Sequence, residues 1–112
     1  MKKFLVLYKA STAAFQQAMK ATPDQQKAGM DAWMTWGNKA ASSMVDMGAP
    51  LGKSVRVAKT GGVDPVVNDL GGYSIMQAES KEALAASLKE HPHFMMPDST
   101  IEVIEIMSIP GM

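Results

Sequence analysis

Apolar and polar positions along this chain change period several times, and each change marks a structural element. Phe4, Leu5, Val6, Leu7 and Tyr8 are aromatic or branched on both alternating sets, the pattern of a strand covered from two sides and placed centrally in a sheet. "STAAFQQAMKA" follows, with Phe15, Ala18 and Met19 at helical spacing, and predicts a short helix or turn. Residues 22–48 predict one long helix. Thr22 caps it, Pro23 suits the first position, Asp24 favours the positive end, and Gln25 completes a capping box. Gly48 and Pro50 supply the stop. Its apolar stripe is Met30, Trp33, Met34, Gly37, Ala40, Ala41, Met44 and Met47, which would pack on the sheet. Gly37 in mid-helix implies a close approach at that turn.

"KSVRVAK" alternates Val55 and Val57 with Ser54 and Arg56 and predicts a second strand with one polar face. "TGGVDPVVNDLGG" is rich in turn residues and reads as a connection to a third strand, "YSIMQA". Ser80 then caps a second helix, with Leu84, Ala85 and Leu88 on its apolar stripe and Pro92 ending it. "STIEVIEIM" supplies the last strand. The order is strand, helix, strand, strand, helix, strand. Right-handed crossovers place both helices on one face of a four-stranded antiparallel sheet, an α+β, ferredoxin-like βαββαβ arrangement with the first and third strands central. Apolar side chains nevertheless point to both faces of that sheet. An open apolar face exceeds the roughly few hundred Å² that monomers expose, so a second copy packing sheet against sheet is expected, giving a homodimer and a dimeric α/β barrel.

Composition narrows the function. A chain of 112 residues fits one domain, residues 1–112. Eleven basic and eleven acidic side chains cancel, which argues against nucleic acid and anionic membranes as partners. The apolar run after Lys2-Lys3 is too short for a signal segment, and nothing approaches the about 20 residues of a membrane span. Together with the lack of cysteine, this fits a reducing, cytoplasmic setting. Eleven methionines suggest a forgiving core or an adaptable pocket for an apolar ligand.

With these elements placed, "LGGYSIMQAESKEALAASLKEHPH" followed by "STIEVIEIMSIPGM" resembles the YCII-related family over nearly the whole chain. The matching features are Leu70-Gly71-Gly72-Tyr73, Glu82-Ala83, His91-Pro92 and Ile101-Glu102-Val103. The resemblance implies a ferredoxin-like fold, pairing into a dimeric α/β barrel, and a pocket of mostly unassigned function. Some members carry a histidine early in the chain, paired with an aspartate; here no histidine precedes His91. "GGVDPVVND" stands where one branch has Asp-Gly-Pro-Phe.

The only histidines, His91 and His93, are the default acid/base groups near neutral pH. The plain alternative is that His91 sits in the last helical turn at the negative end of its helix while His93 lies on a solvated loop. A metal would need a third ligand such as Asp98 or Asp69, and no spacing demands one, so no metal and no cofactor are expected. Two readings follow. In one, a cofactor-independent enzyme acts on a small, partly aromatic or lactone-like substrate with His91 or His93 as acid/base and Tyr73 as hydrogen-bond donor. Arg56 would anchor an anion, with Trp33, Trp36 and Asp98 on the substrate. In the other, a noncatalytic small-molecule-binding or assembly protein uses the same residues structurally.

Overall fold

The computed structural model describes residues 1–110. The elements are β1 (Lys2–Lys9), α1 (Thr12–Met19), α2 (Pro23–Lys39), β2 (Met44–Pro50), β3 (Ser54–Val57), β4 (Val63–Val66), β5 (Leu70–Ala78), α3 (Lys81–Ser87) and β6 (Thr100–Glu105), with 3₁₀ turns at Ala41–Ser43 and Pro92–Met95. Four strands form an antiparallel sheet in the order β2-β5-β1-β6. β1 and β5 are central, as the alternation of apolar residues requires. This is the expected ferredoxin-like α+β fold, with a separate β3–β4 hairpin inserted between its second and third strands.

Each helix starts where the sequence writes a cap. The Thr22 hydroxyl accepts from the Gln25 amide at 3.2 Å while the Gln25 side chain accepts from the Thr22 amide at 2.9 Å, a reciprocal box that satisfies two orphan donors. Ser11 and Ser80 cap α1 and α3 by accepting from Ala14 and Ala83.

The long helix expected over residues 22–48 is shorter: α2 ends at Lys39 and residues 44–50 become β2. Gly48 is therefore not a helix stop. It lies inside β2 at φ +72, where an added Cβ would fall 1.7 Å from the Tyr73 carbonyl oxygen, so it serves the irregular β2–β5 ladder, whose register shifts on both sides of Asp46. Pairing along β5 outweighs the helical propensity of this methionine- and alanine-rich stretch. The segment expected as the second strand of the main sheet, around Val55 and Val57, pairs instead with β4. Val63–Val66 is thus a strand and not a plain connection, and Pro65, which lacks a donor, is tolerated because the hairpin has free edges.

The core lies between the sheet and the helices. Phe4, Val6 and Tyr8 alternate inward from β1 to meet Met76, Leu84 and Leu88, and Trp33, Trp36, Ala40, Met44, Ile101 and Val103 pack against them. Gly37 is buried under Met47, whose methyl would lie 3.0 Å from an added Cβ. Met30 and Met34, expected on the same stripe, are exposed, because the first half of α2 overhangs a cleft, lined by its Gly29 and Trp33, and not the sheet. The opposite face of the sheet carries Leu5, Leu7, Tyr73 and Ile75, half-buried and directly paired across β1 and β5. It also carries Lys9, bonded to Glu102 at 2.7 Å. The molecule is flat, 50 × 41 × 19 Å, with a radius of gyration of 15.9 Å against about 13 Å for a compact domain of this length. No helix among the described residues is long and apolar enough to cross a membrane.

Candidate functional site

Just after α3, Pro92 opens a 3₁₀ turn that folds the two histidines inward against the end of β1. His91 is the residue that caps this turn: its Nδ1 accepts from the His93 backbone amide at 2.9 Å. An amide can only donate, so the neutral His91 ring carries its proton on Nε2. That Nε2–H is buried and has no hydrogen-bond partner among the described residues. Three aromatic rings enclose it. The centroid of Trp36 lies 4.2 Å away, that of Trp33 4.5 Å in an edge-on contact, and that of Tyr8 4.9 Å. His91 is 2% exposed. Burial, helped by the adjacent His93, lowers its pKa to about 4, so this ring is a neutral donor at physiological pH.

His93 is held differently. Its Nε2 lies 2.8 Å from the carbonyl oxygen of Lys9. A carbonyl only accepts, so Nε2 carries the proton and the lone pair of the neutral ring sits on Nδ1. The residue is 5% exposed yet lines a cleft of about 330 Å³ together with Ala14, Gln17, Ala18, Gly29, Trp33, Met95 and Met96. The walls come from α1, the first half of α2 and the His93 turn. They are largely apolar, with flexible thioethers on one side and the Trp33 indole on the other. Gln17 and His93 are polar residues of the wall, and the His93 ring is held in a fixed tautomer.

Behind the cleft, the Ser74 hydroxyl donates to the Met47 carbonyl at 2.8 Å. Its single proton is thereby used, so the Tyr8 hydroxyl donates to the Ser74 oxygen across 2.9 Å. Burial raises the Tyr8 pKa, and the hydrogen bond with Ser74 offsets part of that rise. Tyr8 is a fixed, protonated phenol whose ring braces both histidines, 4.9 and 5.5 Å away.

No family model matches the chain, and no curated protein matches it. Among solved structures it is similar to 5-chloro-2-hydroxyhydroquinone dehydrochlorinase from Burkholderia phenoliruptrix AC1100, in complex with 2,5-dihydroxybenzoquinone, at 16% identity and a TM-score of 0.52. The match covers 89% of this chain and 90% of that one. At that identity the likeness is one of fold, and it agrees with the ferredoxin-like α+β arrangement described above.

Of the residues singled out in the sequence, Trp33, Trp36, His91 and His93 come together, and Tyr73, Arg56 and Asp98 do not join them. Tyr73 alternates with the inward-facing Gly72 and Ser74 and pairs with Leu7 on the other side of the sheet. Arg56 lies on the β3–β4 hairpin opposite Asp64. Asp98 is exposed, at φ 55 in the loop before β6. Among the described residues no three His, Cys, Asp or Glu side chains are grouped as metal ligands. The plain expectation for the histidines is also revised: α3 ends at Ser87, so His91 is not in its last turn, and His93 is buried, not solvated. Tyr8 and Ser74 went unsingled. Alternation groups Tyr8 with Phe4 and Val6, but β1 is apolar on both sets, so the sequence alone did not show that the phenol faces the helices. Ser74 gave no signal, because its value lies in a partner 66 residues away.

Proposed function

We propose that the cleft binds a small, flat organic molecule bearing an acidic hydroxyl, and that His93 takes its proton without a cofactor. One observation carries this reading: the only imidazole lining the cleft is pinned through Nε2–H to a backbone carbonyl, which leaves a basic Nδ1 lone pair. A general base needs that fixed orientation before its pKa matters. The apolar walls raise the relative cost of leaving a ligand charge unpaired, so a phenol or enol that ionises only in contact with His93 fits better than a free carboxylate. The structural neighbour's quinone-type ligand supports the same ligand class, by analogy of fold. The acid/base role falls to His93; His91 supports it as a neutral, buried brace. Tyr73, Arg56 and Asp98 have no part in this cleft.

The same reading places the chain with the YCII-related proteins as one cytoplasmic domain over residues 1–112 that pairs through the open sheet face. A noncatalytic binding protein differs from an enzyme here only in whether the proton is returned to a different atom. Titration with hydroquinone as probe, a flat phenol that is uncharged at neutral pH, followed by tryptophan emission, tests the site. Binding is expected to quench Trp33, and His93→Gln is expected to weaken it about 10-fold or more. Equal binding by wild type and His93→Gln, or no quenching at about 1 mM probe, contradicts the assignment.

A further inference from the structure

The β3–β4 hairpin is the least explained part of the molecule. It forms its own two-stranded sheet, and such a hairpin alone is marginal in water. Its pairing is Ser54 with Val66, Val55 with Pro65, Arg56 with Asp64 and Val57 with Val63. Alternation therefore puts Val55, Val57, Val63 and Pro65 on one face and Ser54, Arg56, Asp64 and the half-buried Val66 on the other. The apolar face is bare, with Val55 at 63%, Val57 at 71% and Val63 at 59% exposure. An amphipathic ribbon with a mostly polar back and an uncovered apolar front is built to lie on something.

The surface area says how much must be covered. The chain exposes 8250 Å², whereas a folded monomer of 12.0 kDa exposes about 6,000 Å². The excess is about 2,200 Å² per copy, at the level that obligate homodimers bury on each partner, about 1,000 to 2,500 Å². The open face of the four-stranded sheet cannot absorb this alone. Four strands about 4.8 Å apart and about 20–25 Å long offer only about 450 Å² in projection. The formal net charge of the chain is +0, so two copies approach without mutual repulsion.

We propose that the β3–β4 hairpin is an arm that clasps a second copy of this chain, laying Val55, Val57, Val63 and Pro65 against the partner and extending the contact made by the sheet faces. The proposal builds on the sheet-face pairing above but is separable from it. The chain has no cysteine, so a single Thr60→Cys at the arm tip takes one spin label cleanly.

The test has two parts. Sedimentation equilibrium compares wild type with Val55→Thr/Val57→Thr/Val63→Thr, which keeps branched, strand-forming side chains. The triple variant is expected to raise the dimer dissociation constant about 100-fold or more, with an unchanged far-UV spectrum. In a mixture of spin-labelled Thr60→Cys chains and isotope-labelled wild-type chains, the label is expected to broaden signals of the wild-type partner. A wild-type dissociation constant for the triple variant, or no broadening across chains, overturns the arm. If Leu7→Asp on the sheet face dissociates the dimer while the triple variant does not, the sheet-face pairing stands and the arm alone fails. A wild-type chain that is monomeric at about 100 µM overturns both and leaves the valines for a partner of another kind.

Discussion

Lowering the pH below 6.5 should destabilise this protein through His91 before its carboxylates protonate. In the unfolded chain this imidazole has the ordinary value of 6.5, and in the folded chain about 4. Between those values the unfolded state holds a proton that the native state refuses. Stability is therefore full above pH 6.5 and falls as the pH drops, by about 1.4 kcal/mol per pH unit within the window, for a total of about 3 kcal/mol by pH 4. That is a large share of the roughly 5–15 kcal/mol available to a domain. Urea unfolding followed by tryptophan emission at pH 7, 6, 5 and 4.5 measures the slope. His91→Asn is the matched control, because its side-chain oxygen replaces Nδ1 as acceptor for the His93 amide and does not titrate. The wild type should lose stability relative to this variant as the pH falls from 6.5. Parallel curves for the two proteins, or a titration midpoint for His91 near 6.5, refute the claim that the aromatic cage keeps the ring neutral.

Three further substitutions probe the frame. Gly48→Ala should cost about 3 kcal/mol or more in urea unfolding, since it forces a positive φ and drives a Cβ into the Tyr73 carbonyl. Tyr8→Phe removes the donor to Ser74 and should cost about 1 kcal/mol while leaving ligand binding in the cleft within about 2-fold; a larger loss of binding would assign Tyr8 to the site itself. Thr22→Ala breaks the capping box of α2 and should lower stability by about 1 kcal/mol, read as a shifted urea midpoint with an unchanged slope.

The central strands and the caps at Thr22 and Ser80 were legible in the sequence, because each rests on local spacing or a short-range bond. Which face of β1 meets the helices was not, since Phe4 to Tyr8 is apolar on both alternating sets. What misled was tertiary. Met44 and Met47 continue a helical stripe arithmetically, yet β5 captures that segment as a strand, and local periodicity cannot weigh a partner almost thirty residues further along. The hairpin was half visible in Val55 and Val57, but Val63–Val66 hid behind Gly and Pro. At the site, the histidines stood out as residue types. Their burial did not, since it depends on the Pro92 turn folding back onto Lys9 at the end of β1. Tyr73 and Arg56 were chosen for chemistry alone, and the direction of strand alternation and the hairpin carry them away from the cleft.

The most direct test of the account is a long-range proton–nitrogen correlation spectrum of the imidazoles at pH 7, which is simple to assign in a chain with two histidines. His91 should be neutral, both rings should carry a proton on Nε2, and the Nδ1 signal of His93 should shift when hydroquinone is added. A His93 ring protonated on Nδ1, or averaging rapidly between tautomers, would contradict the fixed base on which the proposed site depends.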